Sequence, residues 1–222
     1  MHILVVGATG PSGVAFIDTA LQAGHELTIY ARSPKKLSWE VLNNPKVHLV
    51  EGSFEDADAA RKAVVCGAEA LVSCAGPVFG NSTKGTPIAD FYARIYKLIQ
   101  SEDGSKIRRC LILSTPSYPS SKDGSSLRLY LIVMVIWTLV NFMYNEIIAS
   151  SKVTAAQPAD QIGWTIYRVP ILTNSAARPV HAGYKGDGKD GIFLSRQSLA
   201  VWLVQELKDS KWIGQEPLLS DA

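Results

Sequence analysis

An α/β fold built on one doubly wound parallel sheet is the class this sequence predicts. Two patterns carry the prediction. Apolar runs such as Ile3-Leu4-Val5-Val6 are continuous, as strands buried on both faces must be. They alternate with longer segments of helical period, and that alternation places parallel strands in a sheet with helices on both sides. A third observation sharpens it. The turn Gly7-Ala8-Thr9-Gly10-Pro11-Ser12-Gly13 joins the first strand directly to the helix-like Val14-Ala15-Phe16-Ile17. Strand, glycine turn and helix in that order form the context that a phosphate-cradling loop requires.

The elements follow in order. The first strand is Ile3–Val6, and the first helix runs to about Ala23, where Gly24 closes it. Glu26–Tyr30 reads as the second strand. A linker holding Pro34, Asn43, Asn44 and Pro45 leads to a third strand at Val47–Val50. Asp56–Val65 is a helix ending at Gly67, Ala70–Cys74 a fourth strand stopped by Gly76-Pro77, and Pro87–Ser101 a helix. Ile107–Leu113 is the fifth strand, followed by a Ser-, Pro- and Gly-rich loop from Ser114 to Ser126. An uncharged segment, Leu129–Asn145, then feeds a long helix to about Ala156. Trp164–Arg168 is a sixth strand. Residues 173–191 are a glycine-rich loop around a short strand at 181–184, and Ser195–Lys208 is the last helix. Without repeats or low-complexity linkers, the chain reads as a single domain, 1–222. Segments at about 115–145 and 170–195 are expected to line a substrate site, because ligands of such sheets lie beyond the strand carboxyl ends.

Composition excludes several classes. A net charge of +2 gives nucleic acid no electrostatic foothold. Cys66, Cys74 and Cys110 are odd in number and lack C-x-x-C spacing, so they read as free thiols rather than bridges or zinc ligands. The four histidines are scattered, which predicts no metal site. The first strand begins at the N-terminus, so the expectation is a cytoplasmic chain with no targeting segment. The run Leu129–Asn145 is shorter than the roughly 20 apolar residues a bilayer crossing takes. It is expected to pack into the core or wall a substrate pocket, with Trp137, Phe142 and Tyr144 able to stack on a flat acceptor, and not to anchor the chain in a membrane.

The glycine turn carries the chemistry. Glycines at 7, 10 and 13 let the backbone turn sharply and approach a ligand with no Cβ between them. The following helix offers unpaired N–H groups and its positive dipole end to a pyrophosphate, and Pro11 suits a first helical turn. The tip of the second strand selects the dinucleotide: an acid there binds the ribose hydroxyls of NAD, while Arg accommodates the extra phosphate of NADP. Here it reads Tyr30-Ala31-Arg32-Ser33-Pro34-Lys35-Lys36, with no acid, which predicts NADP(H).

GATGPSG at the first turn, Ala31-Arg32-Ser33, Gly52 after the third strand, Val72-Ser73-Cys74-Ala75-Gly76, Trp164-Thr165-Ile166-Tyr167-Arg168-Val169-Pro170 and Ser195-Arg196 together resemble the atypical, NmrA-like short-chain dehydrogenase/reductases. In size and layout the chain is similar to the biliverdin IXβ reductase/flavin reductase type of that group. The resemblance covers nearly the whole chain and implies a Rossmann-type fold. It implies NADP(H) across the strand ends, touched by Gly7, Thr9, Gly10, Pro11, Ser12, Gly13, Arg32, Ser33, Lys36, Ser53, Phe54, Cys74, Ala75, Gly76, Ser114, Thr115, Val169, Pro170 and Ile171. Ser53 stands where the family usually has Asp.

Most short-chain dehydrogenases use a Tyr whose phenol is tuned by a Lys four residues on. The one such string here, Tyr118 to Lys122, contains Pro119 and cannot be a helix interior. Tyr144 stands near the family position, but four residues on is Ile148. Ser114, Thr115 and Tyr144 are therefore the catalytic candidates, without a Tyr–Lys pair. That suits a conjugated acceptor such as a flavin, quinone, enone or linear tetrapyrrole, whose reduction depends chiefly on positioning. The sequence thus predicts an NADPH-dependent oxidoreductase acting on a small molecule. A redox-neutral isomerase or cyclase on the same fold, and a dinucleotide-sensing regulator without turnover, are the alternatives; monomer and homodimer stay open.

Overall fold

Ile3 and Val5 point into one apolar cluster and Leu4 and Val6 into another, and all four are fully inaccessible to solvent. That is why the first strand shows no polar alternation: helices cover both faces of the sheet. The computed structural model describes residues 1–77 and 85–222. β1 (His2–Val6), β2 (Glu26–Ala31), β3 (Val47–Glu51), β4 (Ala70–Ser73), β5 (Arg109–Ser114) and β6 (Gly163–Arg168) lie parallel in the order 3-2-1-4-5-6. The chain winds outward from β1 to β3, then returns to β4 on the other side of β1, so the switch point falls between β1 and β4. α1 (Pro11–Gln22) and α7 (Arg196–Asp209) pack together on one face. α3 (Ala57–Val64), α4 (Pro87–Ser101) and the C-terminal half of the helix that precedes β6 cover the other.

Sequence reading and structure part in four places. β10 (Leu218–Asp221) joins β6, and β8 (Val180–Gly183) pairs antiparallel with β10 at the sheet edge, while β7 (Ile171–Thr173) and β9 (Phe193–Ser195) form a separate pair. Three of these, β7, β9 and β10, were not expected, because three- or four-residue strands carry too little periodicity to register. The one-turn helix α2 (Trp39–Leu42), capped by Ser38, likewise lies in what the sequence presents as linker.

The fourth difference concerns the uncharged segment. The segment and the long helix it feeds divide at Val140, inside the segment, into α5 (Leu127–Leu139) and α6 (Asn141–Ala155), whose axes differ by 112°. Side chains on both sides of the break bond carbonyls of the last α5 turns. The Thr138 hydroxyl bonds the Met134 and Val135 carbonyls, and the Asn141 amide bonds the Trp137 carbonyl, diverting acceptors that the last turn needs. The segment is expected in the core or as a pocket wall; of the α5 residues only Leu129 is buried, and none lines the cavity at the switch point, which Phe142 of α6 reaches.

One buried ion pair braces the loop after β5. Arg168, at the end of β6, donates to both oxygens of Asp123, Nη1 to Oδ2 at 2.6 Å and Nη2 to Oδ1 at 2.8 Å. The side chains are only 1% and 5% exposed. Asp123 also accepts the Ser120 and Lys185 N–H groups, and Arg168 donates to the Tyr118 carbonyl. Burial alone would raise the Asp123 carboxyl, but the guanidinium and these N–H groups hold it below its ordinary range.

Candidate functional site

A cavity of about 600 Å³ opens at the carboxyl ends of β1, β2 and β4, at the switch point. The glycine turn forms its floor. Gly7 has a positive φ of 75°, and a Cβ there would overlap the Cys74–Ala75 backbone. Gly13 lies against the Gly7 carbonyl and the Ala8 backbone, so it sets how closely α1 seats on β1. Gly10 differs. A Cβ on it would meet only the Gly7 oxygen, at 3.5 Å, so its missing side chain leaves space in the cavity rather than relieving a clash. Gly10 is the N-cap of α1 and supplies no side-chain cap. The Ser12 and Gly13 N–H groups fall in the first turn, where an α-helix has no partner to offer them. Gly7, Thr9, Gly10 and Pro11 line the cavity; Ser12 and Gly13 sit behind them in the helix.

The end of β2 gives the opposite wall. Arg32, Ser33 and Lys36 all line the cavity, the last from a 3-10 turn at Pro34–Lys36. Next to them come Gly52, Ser53, Phe54 and Glu55. Tyr30, buried beneath, donates to the Ser53 carbonyl at 2.6 Å, while Arg94 donates to the Phe54 carbonyl at 2.5 Å. Phe54 rests on Phe91 with ring centroids 4.8 Å apart. The Ser53 hydroxyl donates to Glu55 at 2.8 Å. That bond, the Glu55 N–H and the nearby Arg32 charge hold the Glu55 carboxyl below its ordinary range.

Cys74, Ala75, Gly76 and Pro77 complete the turn beyond β4. Burial pushes the Cys74 thiol up to about 11, so at neutral pH it is an uncharged wall atom and no nucleophile. The far end of the cavity is lined by Gly85, Pro87, Ile88, Phe142 and Glu146.

The remaining sequence candidates lie outside this lining. Ser114 is fully buried at the end of β5, its hydroxyl 2.8 Å from that of Ser151 and its carbonyl accepting the Val169 N–H. Thr115 is half-buried beside it. Val169 is buried, Pro170 half-buried and Ile171 exposed at the start of β7. Tyr144 is half-buried on α6; of the three aromatic residues expected to stack, only Phe142 reaches the cavity. All three cysteines are free, and among the described residues no cluster of metal-ligating side chains occurs.

Glu146 is the buried charged residue of the lining, and the sequence did not signal it. It is a single carboxylate in an uncharged stretch and belongs to no motif. It is buried, yet it lines the cavity, and its Oε1 accepts the Ala89 N–H at 2.9 Å. Ala89 is in the first turn of α4, so Glu146 caps that helix from α6. Burial pushes its carboxyl above the ordinary range, and the Ala89 and Ile88 N–H groups pull it only part of the way back. The ionised form is therefore less at ease in the fold than in the unfolded chain. The penalty is present at neutral pH and is relieved as pH falls through the raised folded-state value. Glu146→Gln keeps an acceptor for Ala89 and removes the charge. It is expected to melt at or above the wild-type temperature at neutral pH, with the difference vanishing below about pH 4. Thermal melts across that range check it, and a variant less stable at neutral pH would contradict it.

With the site described, the comparisons define its class. The family model for NAD(P)H-binding proteins matches residues 7–210, so the chain belongs to that family and carries an NAD(P)H-binding domain. It is similar in structure to a short-chain dehydrogenase/reductase from Veillonella parvula solved in complex with NADP, with a TM-score of 0.78 and 17% identity over 99% of this chain and 94% of that one. It is also similar to an anaerobilin reductase from Escherichia coli O157:H7, with a TM-score of 0.74 and 14% identity over 100% and 97%. At such identities the likeness carries the fold alone. A search of curated proteins returned no match.

Proposed function

We propose that this protein is an NADPH-dependent oxidoreductase that reduces a small conjugated acceptor such as a flavin, quinone or enone. The observation that carries the reading is the end of β2, where Arg32, Ser33 and Lys36 line the cavity and no acid stands on that strand tip. The open space at Gly10 and the uncapped start of α1 fit a pyrophosphate, and Arg32 with Ser33 and Lys36 fits the phosphate that distinguishes NADP from NAD. Ser53 and Phe54 are assigned to the adenine end, and Cys74, Ala75, Gly76 and Val169, Pro170 and Ile171 to the nicotinamide end. When bound, NADPH supplies a hydride.

The chain's own residues then have to hold the acceptor flat and keep water away. Ile88 and Phe142 offer apolar faces for that. Of the catalytic candidates, Thr115 is half-buried just past the end of β5, its hydroxyl accepting the Ser117 N–H. Ser114 is bonded to Ser151 and is assigned to positioning, and Tyr144 has no lysine to tune it.

Arg32→Ala is expected to weaken NADPH by about 1.5–3 kcal/mol, the range of a hydrogen bond to a charged group, while NADH affinity barely changes. Equal losses for both nucleotides by calorimetry would assign Arg32 to some other task. Steady NADPH consumption with a panel of flavins, quinones and enones tests the activity. Binding without consumption by any of them would turn the reading to a redox-neutral enzyme or a dinucleotide sensor.

A further inference from the structure

α5 is apolar on every side, with Arg128 its one charge, and only Leu129 is buried. Tyr130, Leu131, Met134, Val135, Trp137 and Leu139 all face solvent, Leu139 at 77% and Trp137 at 53% exposure. A helix that packs on a protein partner needs one apolar stripe and keeps a polar back. A helix apolar all round needs an apolar medium on all sides, which in a folded domain means the core and otherwise means lipid. The core takes only one side of α5, which leaves α6 at 112°: Leu129 is buried and Ile132, Val133 and Ile136 are half-buried, and the remaining apolar residues stay in solvent.

The charges around it choose the medium further. From Gly124 to Asn145 there is no acidic residue. The flanking Asp123 is locked in its ion pair with Arg168, and Glu146 is buried under α4. The one charge the segment itself shows to solvent is therefore a cation, Arg128 at its start. Tyr130 and Trp137 are the residue types that settle at a membrane–water boundary. At thirteen residues, α5 spans about 20 Å, too short to cross a bilayer but sufficient to lie in its surface. No helix among the described residues is long and apolar enough to cross by itself.

We propose that α5 seats this protein on the surface of an anionic phospholipid bilayer, its apolar sides embedded at the acyl boundary and Arg128 among the headgroups. The break at Val140 places Phe142, which lines the cavity, three residues beyond the end of the embedded helix.

Flotation of the full-length protein with vesicles of phosphatidylcholine and phosphatidylglycerol tests this. The wild type is expected to float with the vesicles, and Arg128→Gln to lose roughly fivefold in affinity for them. The double variant Leu131→Glu, Val135→Glu is expected to lose at least about tenfold, because it removes buried methylenes and adds charge. Both positions are exposed, so that variant should melt and bind NADPH as the wild type does. Brominated lipid should quench the wild-type tryptophan fluorescence and quench a Trp137→Phe variant much less. Wild-type protein that stays in solution with these vesicles would overturn the proposal. So would a dimer in sedimentation that the double variant dissociates while no lipid binding is seen, since a second copy would then cover α5.

Discussion

Gly10→Val is expected to lower NADPH affinity at least about 100-fold, or roughly 2.7 kcal/mol, while leaving the melting temperature close to that of the wild type. The two halves of this expectation have separate causes. Gly10 adopts φ −80° and ψ 159°, an extended conformation that valine favours, and the first atom of the new side chain would meet protein only at 3.5 Å. The fold therefore has room for it. What it fills is the space where a pyrophosphate would approach the start of α1, and a branched side chain there holds the anion away from the helix N–H groups. Gly13→Ala is the contrasting variant. Its Cβ would overlap the Gly7 carbonyl and the Ala8 backbone, so it should lose stability first and binding as a consequence. An unchanged NADPH dissociation constant in Gly10→Val would show that the turn is structural only.

Asp123→Ala is expected to cost about 3–5 kcal/mol of stability at neutral pH, the scale for stripping one partner from a buried ion pair. The size comes from what is left behind: an Arg168 guanidinium 1% exposed, with its Nε already lacking a partner. Because the Asp123 carboxyl is held below its ordinary range, the stability it contributes is complete above the unfolded-state value and is lost as pH falls through the folded-state one. The gap between wild type and variant should therefore narrow in acid. Removing both charges, as Asp123→Ala with Arg168→Leu, should recover most of the loss, since no uncompensated charge remains. Denaturant titrations check this, and a double variant as unstable as Asp123→Ala alone would place the effect in the loop contacts and not in the ion pair.

The parts of the molecule that were legible in the sequence are those where a local pattern has one physical cause. Continuous apolar strands between helices mean a sheet covered on both faces, and β1 to β6 follow that reading. Gly7, Gly10 and Arg32 stand out as a candidate nucleotide turn and phosphate end because strand, turn and tip residues adjoin in the chain, and the structure brings all three to one cavity. Illegible features depend on residues far apart in sequence. Glu146 caps α4 across 57 positions, and Arg168 clamps Asp123 across 45. Ser114 was read as a catalytic hydroxyl from its place at a strand end; that it bonds Ser151 depends on how α6 crosses β5, which no motif encodes. The exposure of α5 was illegible for a related reason. Its composition matches a core helix, and only the break at Val140 turns it outward.

Calorimetric titration of the wild-type protein with NADPH and with NADH tests the central claim most directly, because the two ligands differ by one phosphate and the claim assigns that phosphate to Arg32, Ser33 and Lys36. The account predicts that NADPH binds more tightly and that raising salt narrows its advantage, as expected for a phosphate held by exposed cations. Equal affinities, or tighter binding of NADH, would contradict it.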